Sequence, residues 1–196
     1  IRDSLTALGL QEIFMQIFIG VLLGTLLQVV SAALIVGGQA ISASMGLSMA
    51  NMVDPNMGNV PVIAQFLIIC STLIFLALGG HIIVISLLLE SFQLMPIGEM
   101  FEAQPLMALI IQWSSMMFLG AVLLALPIMV SLLLINIGLG VITRAAPALN
   151  IFAVGFPAMI LAGIILLSMS MSSIGFRIQW LWQESFKIMN QALGVA

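Results

Sequence analysis

The chain is a series of long apolar stretches separated by short breaks where glycine, proline and polar residues gather. Residues 13–36 read as one hydrophobic helix. Within it Gly20 and Gly24 have the GxxxG spacing that lets two helix backbones approach in an apolar setting; the same spacing also arises incidentally in a glycine-rich helix. Gly37-Gly38 follow, and paired glycines are costly inside a helix, so a break is predicted there. Residues 39–60 change character: they are small, polar and methionine-rich, with Asp54-Pro55 near the middle. Proline disfavours the helical region at the residue before it, so this segment is predicted as a short helix or turn followed by irregular chain. It is too polar to face lipid and too apolar for an exposed loop. Irregular backbone at membrane depth is tolerated only when buried in protein or lining a cavity.

A second stretch, 61–89, opens on Pro61, which suits a first helical turn, and is interrupted by Gly79-Gly80-His81. An acidic connector, 90–105, carries Glu90, Glu99 and Glu102. The third stretch, 106–143, would span roughly 55 Å as one helix, nearly twice a hydrocarbon core of ~30 Å. Tilt does not easily absorb such a mismatch. It is predicted to kink at Pro127 or to lie partly outside a normal bilayer. Arg144 and Pro147 end it, residues 148–157 read as a connector, and 157–174 form the last apolar stretch. The tail, 175–196, mixes Phe176, Trp180 and Phe186 with Arg177, Glu184 and Lys187, the pattern of an interfacial amphipathic helix.

Composition removes most other classes. Among 196 residues only four are Lys or Arg and seven Asp or Glu, and 63% are hydrophobic, with a mean hydropathy of +1.32. A soluble domain of this size would carry roughly fifty charges. A disordered chain would be less hydrophobic and more charged. Four basic residues cannot build a nucleic-acid surface, and one cysteine, Cys70, cannot form an internal disulfide. The charge-free runs favour helices over a β-barrel, whose strands are ~10 residues of alternating polarity. The fold class expected is all-α: a membrane protein of helical hairpins with broken helices, treated as one domain over 1–196. Arg144 and Arg177 flank opposite ends of the last apolar stretch, so the positive-inside signal cancels and topology stays open. No signal peptide is visible, and Ile1 suggests that the chain begins after a missing N-terminal piece.

Candidate chemistry is sparse. His81 is the sole histidine, and no HExxH, phosphate-binding loop, GxSxG or CxxC pattern occurs. No catalytic, metal or cofactor site is therefore expected. Asp54, His81 and Glu90 interrupt apolar sequence, which makes them candidates for ion or proton transfer. The structural alternative is hydration or capping for Asp54 and Glu90, and for His81 a hydrogen bond to a carbonyl freed by the glycines. Methionine is more distinctive. There are fifteen, and although most suit ordinary core filling, Met45, Met49, Met52 and Met57 lie in the breaker segment. Flexible thioethers there suit a deformable seal.

Several blocks resemble the FliR family of flagellar protein-export gate subunits. These are Gly38-Gln39, Met45-Gly46-Leu47, Val53-Asp54-Pro55, Pro61-Val62, Gly80-His81, Ser91-Phe92 and Pro96, followed by Pro147, Leu149-Asn150-Ile151-Phe152, Val154-Gly155-Phe156-Pro157 and Gly163. The resemblance runs from about Glu12 to Trp182, and virulence-type secretion relatives share the architecture. It implies a non-enzymatic pore subunit of the bacterial inner membrane at the flagellar basal body. One copy would assemble with FliP and FliQ, beside other membrane components such as FlhB, in a complex raised partly toward the periplasm. Unfolded flagellar subunits would pass through its channel. The family's plug loop would correspond to 39–60, with Met45, Gly46, Leu47, Met49, Met52, Asp54, Pro55 and Met57 as the gasket. Gly80, His81, Asn150, Phe152, Gly155, Phe156 and Pro157 would keep family-pattern structural roles. The family also has an N-terminal hydrophobic region with no counterpart here. A different class remains open: a small-molecule or ion secondary transporter, whose sites typically use helices broken by glycine and proline. A purely structural assembly factor is a third possibility.

Overall fold

The computed structural model describes residues 7–47, 62–94, 103–145 and 151–194. Six helices make up the described chain: α1 (Ala7–Ser44), α2 (Val62–Ala77), α3 (Gly80–Leu94), α4 (Ala103–Ser114), α5 (Met116–Ala145) and α6 (Ile151–Ala192). No strand occurs among the described residues, in agreement with the all-α expectation. Three continuous or near-continuous runs, Gly9–Ser44, Leu106–Ala145 and Val154–Ala192, are long and apolar enough to cross a membrane, and α2 with α3 form a bent pair at 66°.

Contacts across the bundle set its directions. Leu26 of α1 meets Trp113 at the end of α4, and Ala33 lies beside Gly120 of α5, so α1 and the α4–α5 run point the same way. Ser185 of α6 also reaches Leu26, while Gly163 of α6 lies on Met45, so α6 runs antiparallel to α1. Two neighbouring parallel helices need a long return connection, and the bent α2–α3 pair lies in that connection.

The predicted break at Gly37-Gly38 does not occur; α1 continues to Ser44. The glycines serve packing instead. A Cβ on Gly37 would lie 3.2 Å from the carbonyl oxygen of Ala121 on α5, and one on Gly38 would lie 2.5 Å from Cα of Ala64 on α2. Each glycine costs ~1 kcal/mol of helix propensity, which the burial of two neighbouring helices against α1 offsets. Around Gly20 and Gly24, in contrast, a Cβ would meet nothing within 4 Å, so the GxxxG pair faces no helix among the described residues.

The interruption at Gly79-Gly80 is real. Gly79 adopts φ +69°, and its carbonyl accepts the N–H groups of Ile82 and Ile83 at 2.9 and 3.1 Å, which starts α3. Gly80 must lack a side chain because the Phe75 ring lies over it and Phe186 Cζ would be 2.9 Å from a Cβ. Phe75, Trp182 and Phe186 form an aromatic cluster at the bend, with Phe75 and Trp182 centroids 4.7 Å apart.

The third stretch breaks at Ser115, not at the expected Pro127. Ser114 and Ser115 donate their hydroxyls back to Ile110 and Gln112 carbonyls at 2.7 Å, an alternative to helical pairing that favours a local break. Pro127 is accommodated inside α5 on an exposed face, while Leu124, Ile128 and Leu132 beside it are buried. The connector at 148–157 is helical from Ile151, and the tail at 175–196 is not a separate element. It continues α6, and Ile178, Leu181, Trp182, Phe186 and Met189 lie in the core. Its apolar face packs on α1 and α2, while Phe176 and Trp180 stay exposed on another face. Pro61 and half of the acidic connector, 95–102, lie outside the described residues; residues 90–94 complete α3 and 103–105 begin α4.

Two buried polar links cross the core. The Leu26 carbonyl accepts Trp113 Nε1–H at 2.9 Å and the Ser185 hydroxyl at 3.3 Å. Trp182 Nε1–H donates to Ser71 Oγ at 2.9 Å. Buried donors without such partners would each cost about 1–3 kcal/mol, so these links fix the axial register of α4 and α6 on α1 and of α6 on α2.

Gly38→Ala is expected to destabilise the bundle by about 1–3 kcal/mol, because the contact is with backbone and cannot yield by a rotamer change. Gly20→Ala, with open space around it, should be neutral or stabilise by up to about 1 kcal/mol. Thermal unfolding of the two variants in detergent, followed by circular dichroism, checks the contrast.

Candidate functional site

The methionine-rich segment begins where α1 ends. The helix closes with Met45 N–H on the Ile41 carbonyl at 3.0 Å and Gly46 N–H on the Ala43 carbonyl at 3.0 Å. Gly46 takes φ +80°, the left-handed conformation that ends helices and favours glycine. The chain thus leaves α1 in a defined direction.

Met45 is 1% exposed. Its side chain lies flat on Gly163 of α6: a Cβ there would fall 2.5 Å from Met45 Cγ and 2.8 Å from Sδ. Two turns earlier on α6, the Phe156 ring lies 3.5 Å from the position a Gly46 Cβ would take. Leu47 is half-buried and packs against the core. Met45 and Gly46 are therefore anchored on α6, and the two sequence blocks around 45–47 and 154–163 meet in space. Gly155 is buried, Phe156 is half-buried and Pro157 is exposed. Phe152 lies on α6, with its side chain outside the described set. Met49, Met52, Asp54, Pro55, Met57 and Asn150 lie outside the described residues.

Beside this anchor an open apolar groove of about 620 Å³ runs between the last turns of α1 and the middle of α5, with Ala40, Ser44, Met129, Leu132 and Asn136 among its lining and Met159 of α6 at its edge. Ser44 satisfies its hydroxyl on the Ala40 carbonyl at 2.9 Å. The Ser42 hydroxyl is buried without a partner among the described residues. Gly163 and Met159 are the site residues to which the sequence pattern assigns no role in the seal. An isolated glycine inside an apolar helix is the available signal for Gly163; nothing marks Met159 among the other methionines.

The ionisable candidates are not brought together. His81 is exposed in the first turn of α3, and the Gly79 carbonyl freed at the bend is occupied by backbone N–H groups, which leaves His81 without its expected acceptor there. Glu90 is half-buried near the end of α3, and Asp54 lies outside the described residues. Among the described residues no charged side chain is buried, and no three metal-ligating side chains converge. The one ion pair among them, Lys187 to Glu184 at 3.0 Å, sits on the exposed side of α6 and is worth little.

Residues 3–185 match the bacterial export proteins, family 1. The chain belongs to this family. Among its relatives is the flagellar biosynthetic protein FliR of Escherichia coli K12, 39% identical over 176 residues, which cover 89% of this chain and 67% of the relative. The protein of the same name from Pectobacterium carotovorum is 37% identical over 190 residues, covering 94% of this chain and 71% of that protein. Its namesake from Bacillus subtilis is 31% identical over 165 residues, covering 82% and 64%. This export-family chain thus spans about two thirds of the length of these relatives.

The Met45–Gly163 seat makes a quantitative expectation. Met45→Ala should cost about 2–5 kcal/mol through the cavity it leaves, and Gly163→Ala about 1–3 kcal/mol through overpacking. In the double variant the new methyl enters space vacated by methionine, so the penalty should fall well below the sum of the singles. A double-mutant cycle on thermal stability reads that coupling directly.

Proposed function

We propose that the chain is a non-enzymatic pore subunit of a bacterial flagellar protein-export gate, and that the part of the expected plug 39–60 that follows α1, from Met45 on, seals the closed channel; residues 39–44 belong to α1. The chain would sit as one copy with FliP and FliQ in the inner membrane at the flagellar basal body, near FlhB, with part of the assembly projecting toward the periplasm. Unfolded flagellar subunits would be its cargo. Met45, Gly46 and Leu47 form the fixed root of the seal, and Met49, Met52, Asp54, Pro55 and Met57 belong to the segment that follows it. No step requires a cofactor.

The observation that carries the plug reading is the root itself. Met45 is locked onto Gly163 and Gly46 lies under Phe156, so whatever follows Leu47 is held from a rigid two-helix mount. A gasket needs that combination: a fixed base, and thioether side chains that repack around a variable opening. The family match and the names of the relatives support the export role.

Two further features favour a subunit over a free-standing transporter. α1 and α6 would extend about 57 and 63 Å as straight helices, against ~30 Å of hydrocarbon. Large apolar side chains also line outward faces, including Phe14, Ile17 and Val21 on α1. Where such helices leave the bilayer, these faces need partner helices to cover them.

Deleting residues 48–59, with the root at 45–47 kept, is expected to leave the FliP–FliQ assembly intact while making the closed gate leak small ions. Conductance or dye-uptake measurements on cells carrying the deletion read the result, and unchanged impermeability overturns the plug. Native mass spectrometry of the full-length protein, expressed with its own operon, should give one large complex with a single copy of this chain. A stable monomer or simple homodimer overturns the gate and restores transport as the better reading.

A further inference from the structure

A second groove, of about 700 Å³, lies along the α5–α6 hairpin, away from the plug root. Its α6 wall carries Met169, Ser172, Ser173, Phe176, Arg177 and Trp180 in sequence, and Gly120 and Leu123 of α5 also line it. The wall thus runs from a thioether past two hydroxyls to a guanidinium flanked by two aromatic rings.

The position of Arg177 gives that order a direction. Residues 154–176 of α6 carry no charge and extend about 34 Å, close to the ~30 Å of a hydrocarbon core. Residues 120–143 of α5 are likewise uncharged and of similar length, and Gly120 is packed against Leu181. The antiparallel pair therefore forms a hairpin of membrane thickness, with Arg144 at one boundary and Arg177 at the other. Trp180, 39% exposed, lies one turn beyond Arg177, where amphipathic rings collect at a headgroup layer.

Arg177 is half-buried in this groove and, among the described residues, has neither an ion pair nor a hydrogen bond. The Ser172 and Ser173 hydroxyls also lack partners among the described residues, whereas Ser168, one turn away, donates to the Ile165 carbonyl at 2.7 Å. An unneutralised guanidinium beside apolar surface calls for an anion, and basic pockets between membrane helices are suited to anionic headgroups.

We propose that the groove binds one anionic phospholipid. Its phosphate pairs with Arg177, its glycerol ester oxygens accept hydrogen bonds from Ser172 and Ser173, and one acyl chain lies along Met169 and Leu123 toward the membrane centre. The order of the groups fits: from Arg177 to Met169 on α6 and from Gly120 to Leu123 on α5, both walls move from boundary to interior.

The test uses the purified assembly containing the full-length chain, reconstituted in phosphatidylcholine vesicles. These are doped with phosphatidylglycerol or phosphatidylcholine bearing the same brominated acyl chains. The signal is the Trp180 fluorescence, taken as the difference between the wild type and Trp180→Phe. Brominated phosphatidylglycerol should quench it with about fivefold preference over brominated phosphatidylcholine. Arg177→Gln should abolish the preference and Arg177→Lys should keep most of it. Excess glycerol phosphate should leave the quenching unchanged. Equal quenching by the two lipids, or a preference that survives Arg177→Gln, overturns the proposal. Absence of quenching by either lipid means that a protein neighbour covers the groove, and displacement by glycerol phosphate means a site for a free anion; each overturns it.

Discussion

Close backbone approach along α1 is the constraint on which the bundle depends. Gly37 lies against the Ala121 backbone of α5 and Gly38 against the Ala64 backbone of α2. Ala33 and Gly120 continue the same narrow seam. Lipid tails are as apolar as leucine, so apolar character alone does not drive such helices together; dispersion between close surfaces and a few polar links do. The seam supplies the first. The Leu26 carbonyl, receiving Trp113 and Ser185, supplies the second and locks the axial positions of α4 and α6.

That locking positions the functional end of the molecule. With α6 held at Leu26 through Ser185, its earlier residues extend antiparallel to α1 until Gly163 meets Met45 and Phe156 meets Gly46. The seat for the plug root is thus the far end of a lever whose pivot lies in the core. The same arrangement leaves much of the outer surface apolar, including the open GxxxG face at Gly20 and Gly24. A subunit surrounded by other helices would show this surface, since partner burial replaces the polar exterior of a free-standing domain.

Much of the fold is legible from periodicity and composition. The charge-free runs specify long membrane-type helices, and Gly79-Gly80 marks a true bend because Gly79 needs a left-handed φ and Gly80 lies beneath Phe75. The departures trace to packing: neighbouring helices on the glycines themselves, and burial of Leu124, Ile128 and Leu132 beside the exposed Pro127. Local propensity points to breaks at Gly37-Gly38, Pro127 and the connector at 148–157, yet the glycines and Pro127 lie within helices and the connector is helical from Ile151. The aromatic, charged tail has an interfacial pattern, yet its apolar face is in the core. Propensities of ~1 kcal/mol per glycine are outweighed when a neighbouring helix packs on the same residue. The break at Ser115 escapes the sequence pattern because two serines folding back on their own helix leave no signature as visible as proline's.

For the candidate site, the methionine-rich segment and the later Val-Gly-Phe-Pro block stand out in the chain one at a time, since their unusual composition is a local property. Their meeting is not local. Met45 and Gly163 are brought together only by the antiparallel run of α6, which depends on contacts between residues far apart in sequence. The sequence by itself determined the class of the protein, because the scarcity of charge and the length of the apolar runs leave helices in a membrane as the available solution. Which glycines break a helix and which ones seat a neighbour was decided by the tertiary structure, because a missing Cβ acquires its meaning from the atom that occupies its place.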